Sequence, residues 1–225
     1  MLSRRKTTLR PPFAVPSDWQ AIQTSAMLLE PLQSQIIRLA ERADATDAHF
    51  FHYYRPVLEQ LADVLQNLIA RDAAVSLLDS RLQATDVTLQ RRWAYLLPPG
   101  AEPERLAQES DLWTYAVFTL SVLRGLGHTL SCLQIDMFDR YGNALGSWKP
   151  WRGAMAQQGA AYFRVAGIGP PASLDWTPLL AMPLIPRPGQ AWLWSNRAVF
   201  ALWLEALAGS VCPVMLERIL SPHSE

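Results

Sequence analysis

Cysteine is nearly absent from this chain. Cys132 and Cys212 are the only two in 225 residues, and without Cys-x-x-Cys spacing they offer neither a disulfide framework nor a zinc site. A reducing cytosol suits that pattern, and a cytoplasmic location is expected. A net charge is missing too: 20 basic side chains meet 20 acidic ones, so nothing overall draws the molecule toward nucleic acid or an anionic membrane, and such contacts need a local patch. Long apolar runs are also lacking. The most apolar window, Leu112 to Leu123, contains Thr114, Thr119 and Ser121 and falls short of the roughly 20 residues that span a bilayer. It reads as a buried helix, and no membrane insertion is expected. No apolar run follows the basic cluster Arg4-Arg5-Lys6, so no secretory signal is expected. Nucleophile elbows, phosphate loops and dinucleotide fingerprints are absent, and Gly167-Ile-Gly169-Pro-Pro171 is too proline-blocked to present a row of N–H donors to a phosphate.

Apolar residues, by contrast, make up 50% of the chain, enough to bury one domain. The expected division is a basic, proline-containing tail over residues 1–24, with Arg10 ahead of Pro11-Pro12, and a single helical domain over 25–220. From Ser25, the positions Leu28, Leu29, Leu32, Ile36, Leu39 and Ala40 recur at helical spacing, with Pro31 tolerated in the first turn. Thr46 or Asp47 can cap a short aromatic helix, and Pro56 should bend the chain before a helix carrying Val57, Leu61, Val64, Leu65 and Leu68. A loosely periodic helix is expected between Ala73 and Leu97, stopped by Pro98-Pro-Gly100. A fourth should start near Pro103 and end at the Gly125 and Gly127 breaks.

The period then changes. Leu133, Ile135 and Met137 alternate with Gln134, Asp136 and Phe138, and Asp139-Arg-Tyr-Gly-Asn143 is turn chemistry. A hairpin returning through Leu145 and Trp148 follows, with a further strand through Ala161–Val165. The fold class is therefore mainly α (α+β): a helical bundle with a small antiparallel β-hairpin or three-stranded sheet around residues 131–166. A proline-rich passage from Pro170 should alternate short helical turns with extended connectors. Ser195-Asn-Arg can cap a last strong helix, Val199 to Leu207, ended by Gly209.

Several side chains carry candidate chemistry. His49 and His52, at i and i+3, can place two imidazoles on one metal, but no third ligand follows at suitable spacing and an aromatic-packing role is the simpler reading. His128 sits where a helix ends and can serve the C-terminal dipole; His223 is the third residue from the end of the sequence. Asp136 and Asp139 bracket the hairpin, where acid–base or cation chemistry competes with ordinary backbone-bonded turn aspartates. Trp148, Lys149, Trp151 and Arg152 form a candidate binding face on which bases can stack.

Leu28-Leu29-Glu-Pro and His49-Phe-Phe-His-Tyr-Tyr-Arg-Pro-Val-Leu-Glu59 resemble the opening of the N-terminal domain of TraI-type relaxases of the MobH class, found in integrative conjugative elements. Leu97-Pro-Pro-Gly100, Trp113-Thr-Tyr-Ala-Val-Phe118, Ile135-Asp-Met-Phe-Asp-Arg-Tyr-Gly142 and Trp148-Lys-Pro150 are similar to that family's next landmarks. Gly159-Ala-Ala-Tyr-Phe-Arg-Val165, Leu184-Ile-Pro186, Trp192-Leu-Trp-Ser195 and the stretch from Phe200 to Gly209 follow in the same order, so that the resemblance spans roughly residues 25 to 210. It implies an HD-domain-like bundle whose histidines and aspartates hold divalent metal for DNA strand cleavage. It also places the family's His-Asp pair on Arg124 and Gly125, neither of which can coordinate a metal. The expected histidine-rich segment falls between Arg71 and Leu89, where there is none, and the later His-Glu pair falls near Ser173 and Leu174.

A pseudoenzyme with no catalytic residue, no metal and no cofactor is the resulting expectation: a non-catalytic accessory protein whose partners are conjugation proteins or DNA. A second reading is a phosphate- or nucleotide-binding sensor using the vacated pocket, with Arg124, His128 and Asp136 as its polar lining and Arg124 gripping phosphate or pairing with Asp136 or Asp139. A third is a residual metal-dependent phosphohydrolase or nuclease recruiting His49, His52 and Asp136.

Overall fold

A computed structural model of the chain describes residues 13–69, 74–209 and 212–221. Arg4, Arg5, Lys6, Arg10, Pro11, Pro12, Arg71 and His223 lie outside the described residues. The molecule is mostly helical with a small four-stranded antiparallel sheet.

A two-residue strand, β1 (Gln20–Ala21), comes first. The helix expected from Ser25 is two helices, α1 (Ser25–Leu29) and α2 (Gln33–Arg42), joined by a 3-10 turn over Glu30–Leu32 that contains Pro31. The pyrrolidine nitrogen has no hydrogen to donate, and the tighter turn accommodates it. Thr46 is the residue that caps the aromatic segment, its hydroxyl accepting the His49 N–H at 3.3 Å. From there α3 (Asp47–His49), a π-helical stretch over Phe50–Tyr54 and α4 (Arg55–Leu65) abut without a break. Pro56 does not bend the chain between two helices as expected. The wide turn ahead of it, in which the Arg55 N–H donates to the Phe50 carbonyl, relieves the ring's clash with the preceding turn.

Ser76 caps α5 (Leu77–Arg92) by accepting the Asp79 N–H at 3.2 Å. The central element is α6 (Pro103–Leu123): from Leu112 to Leu120 every residue is buried. A helix apolar on all sides has no solvent face and must be enclosed. Its buried threonine hydroxyls bond within the protein, whereas the Tyr115 hydroxyl is buried without a partner. Thr119 donates to the Tyr115 carbonyl at 3.0 Å and accepts the Trp203 indole N–H at 2.9 Å.

After a short helix, α7 (Leu126–Ser131), the chain forms β2 (Leu133–Phe138), β3 (Ala144–Ser147) and β4 (Tyr162–Ile168). The strand order is β1-β4-β2-β3, all antiparallel. Ile135, Met137 and Phe163 send one face into the core, and each such burial contributes about 2 kcal/mol. The expected three strands are present, and β1 adds a fourth. The segment from Phe13 to Ala21, assigned from sequence to the tail, lies on the sheet: Trp19 stacks on Phe138 with centroids 3.5 Å apart, and Phe13 meets Tyr162 edge-on.

In the proline-rich passage the expected helical turns are present as two short helices, separated from each other and from β4 by non-helical residues. Pro178 and Pro188 occupy the first turns of α8 (Thr177–Leu184) and α9 (Arg187–Ser195), where the absent N–H costs nothing. Asn196 then caps α10 (Arg197–Leu207), accepting from the Ala198 and Val199 N–H groups. A final helix, α11 (Val214–Leu220), packs on α5 and α6. No helix among the described residues is long and apolar enough to cross a membrane.

Candidate functional site

The site is built where α6 ends. The Arg124 N–H closes the last helical bond to the Leu120 carbonyl at 2.8 Å, after which the backbone leaves the helix. Gly125 follows at φ 70°, a left-handed geometry, and its carbonyl accepts the Thr129 N–H to begin α7. Gly127, read from sequence as a second helix stop, lies inside α7. It is glycine because a Cβ there would come within 2.2 Å of the Thr177 backbone nitrogen. Its N–H donates to the Thr177 hydroxyl at 2.9 Å, and that hydroxyl donates to Asp175 at 2.7 Å.

A third segment completes the junction. Arg81, on α5, donates from Nη1 to the Arg124 carbonyl at 2.5 Å. Burial pulls its guanidinium below the ordinary arginine range, and the Asp175 charge opposes that shift; it stays cationic. Thus α5, the turn after α6 and the start of α8 meet, and these are the segments to which the resemblance assigns metal ligands. The residues present do not fit a metal. Two guanidiniums would repel a divalent cation, and Gly125 has no donor atom.

On its outer side the junction opens into a groove of about 690 Å³ between α5, α6 and α11, whose polar lining includes Ser80, Arg81, Arg91, Ser121, Arg124 and Glu217. Arg124 Nη1 lies 3.0 and 3.1 Å from the two Glu217 oxygens. The Ser221 hydroxyl also donates to Glu217, at 3.3 Å, and Arg91 donates to the Ser221 carbonyl. With side-chain exposures of 31% and 44%, the Arg124–Glu217 pair is solvent-screened and worth at most about 1 kcal/mol.

The other sequence candidates do not gather here. Asp136 bonds Arg164 across the sheet at 2.8 Å, with Asp18 at 3.6 Å from the same guanidinium, and these carboxylates raise the Arg164 pKa. Asp136 therefore faces Arg164, and the carboxylate beside Arg124 is Glu217. Asp139 serves its own turn, accepting from Tyr141, Asn143 and the Asn143 amide, which holds its carboxyl below the usual range. His128 is exposed in the last turn of α7, beside a cleft with Cys132, Pro170 and Pro171, and does not cap α6. The candidate face around the hairpin is divided. Trp148 is buried and donates its indole N–H to the Gly153 carbonyl at 3.0 Å, while Trp151 packs edge-on against Trp176. Lys149 and Arg152 are exposed beside Gln157 and Gln158.

His49 packs against Tyr53, Tyr54 and Trp192, and His52 is exposed. Among the described residues no three His, Cys, Asp or Glu side chains are grouped to hold a metal ion. Sequence reading missed Arg81, Arg91 and Glu217. Arg81, Ala84, Thr88 and Arg91 recur at three- and four-residue intervals on α5, a legible stripe; Glu217 carried no such signal.

Compared with models of protein families, residues 19–219 match that of TraI_2, described as a putative helicase. No curated protein matches the chain.

Proposed function

The chain belongs to the TraI_2 family, and from that membership we propose that it is a conjugation-related, relaxase-like accessory protein of a conjugative or integrative element, a degenerate HD-like domain acting in the cytoplasm through protein or DNA binding. The observation that carries the reading is the chemistry at the end of α6. Where the resemblance calls for a His-Asp metal pair, the chain has Arg124, ion-paired to Glu217, and Gly125, a left-handed glycine. Arg81 brings a second guanidinium to the same junction. Strand cleavage of the metal-assisted kind needs an activated water and an offset for phosphate charge. Guanidinium groups supply the offset alone, since arginine neither coordinates metal nor gives up its proton at physiological pH. Retained fold with replaced ligands suits a protein that holds a partner or a strand rather than one that cuts it.

The reading as a residual metal-dependent hydrolase has less support, because Asp136 is committed to Arg164 and His49 to an aromatic cluster. Metal content joined to a cleavage assay tests the choice. Protein purified without chelator is expected to carry only substoichiometric divalent metal and to cleave neither single- nor double-stranded DNA when Mg²⁺ or Mn²⁺ is added. A full equivalent of metal together with cation-dependent cleavage would overturn the proposal.

A further inference from the structure

The groove between α5, α6 and α11 has an unusual lining for a surface depression. Three arginines, Arg81, Arg91 and Arg124, face one glutamate, Glu217, and an apolar strip of Ala84, Val87, Leu120 and Leu220 runs beside them. Arg81 is the informative member. It is part-buried, desolvation is the largest influence on its guanidinium, and no carboxylate lies within ion-pair distance of it among the described residues. Among the described residues its hydrogen bond goes to the Arg124 carbonyl, a use of one of the five guanidinium N–H donors, and the side chain lines the groove. A partly desolvated cation with spare donors binds an anion more strongly than one in bulk water, because the local dielectric is lower.

Arg124 stands next to it with a carboxylate already in place. Glu217 is held by Arg124 Nη1 and by the Ser221 hydroxyl, so two donors converge on one anionic group contributed by α11. That is an internal occupant of an anion site, and an exposed one that a stronger anion can displace. The depression measures about 690 Å³, far more than a phosphate requires, and its apolar strip lies next to the arginines. The ligand it fits has a phosphate at one end and a flat, largely apolar body at the other.

We infer that the groove is a binding site for a nucleoside monophosphate. The phosphate takes donors from Arg81 and Arg124 and displaces the Glu217 carboxylate, and the base lies along Val87 and Leu120. The inference stands on the groove alone, independently of an accessory role in DNA transfer.

Calorimetric titration of the full chain with a nucleoside 5′-monophosphate, inorganic phosphate and a short single-stranded oligonucleotide tests it. The mononucleotide should bind at millimolar or lower concentration, more tightly than inorganic phosphate. Glu217→Gln removes the competing charge and should tighten binding about threefold, the equivalent of an exposed ion pair. Arg124→Gln and Arg81→Gln should each weaken it about tenfold or more, the value of a charge-assisted hydrogen bond. Arg105→Gln, on the distant first turn of α6, should change nothing. Unliganded melting temperatures show whether the arginine variants fold. If they do not, the opposite-signed response of Glu217→Gln still decides, because its side chain is exposed and its loss spares the fold. Absence of mononucleotide binding to both wild type and Glu217→Gln would overturn the inference, as would unchanged affinity in Glu217→Gln. Equal affinity for inorganic phosphate, or binding of the oligonucleotide alone, would also overturn it.

Discussion

Gly125 and Gly127 stand two residues apart and are glycine for different reasons. Gly125 adopts φ 70° with open space around its missing Cβ, so alanine there meets only the left-handed penalty, about 1 kcal/mol. At Gly127 a Cβ would come within 2.2 Å of the Thr177 nitrogen and 2.4 Å of the Trp176 carbonyl carbon. Those are backbone atoms that no rotamer change can move. Gly127→Ala should cost about 3 kcal/mol or prevent folding, well beyond Gly125→Ala, and urea unfolding of the two variants measures the order. Equal losses would contradict the close approach. Sequence alone presented both glycines as helix stops, because a left-handed stop announces itself locally. A close packing partner 50 residues away leaves no local trace. The same contrast separates Arg124, found by its place in a motif, from Glu217, whose role exists only once α11 has folded back onto α5.

At the scale of elements, six prolines of this chain mark starts. Pro31, Pro56, Pro103, Pro150, Pro178 and Pro188 all fall in first turns. Legible elements were those with long periodic patterns or local turn chemistry: α6, the hairpin closed by Asp139, and α10 under its Asn196 cap. Elements of two residues or two turns, such as β1 and α11, have no period to detect, and tertiary packing holds them in place. For β1 the anchor is Trp19, stacked on Phe138 and adjoining Tyr162. Trp19→Ala should destabilise the chain by about 2 kcal/mol and, more tellingly, expose the Ile22 amide that pairs with the Ala161 carbonyl. Hydrogen exchange should then rise at Ile22 while the amides of α6 between Leu112 and Leu120 stay protected. A uniform rise across α6 as well would contradict local anchoring of the edge strand.

On the scale of the whole molecule, α6, buried on all sides from Leu112 to Leu120, organises the bundle, and its C-terminal end is where α5, α7, α8 and α11 meet. Hydrophobic period and turn chemistry foretold a mainly helical chain with a small sheet, and motif order pointed to Arg124 as the candidate junction. What period and motif order could not supply was the arginine-lined groove, since it needs side chains from three distant elements. On the proposed reading, a relaxase-like protein of this kind matters to DNA transfer by what it holds. The frequency of conjugative transfer from donors that lack the gene and are complemented with it measures that most directly. Loss of the gene should lower transfer by at least about tenfold, with full recovery on complementation. Transfer at the wild-type frequency without the gene would contradict a role in conjugation.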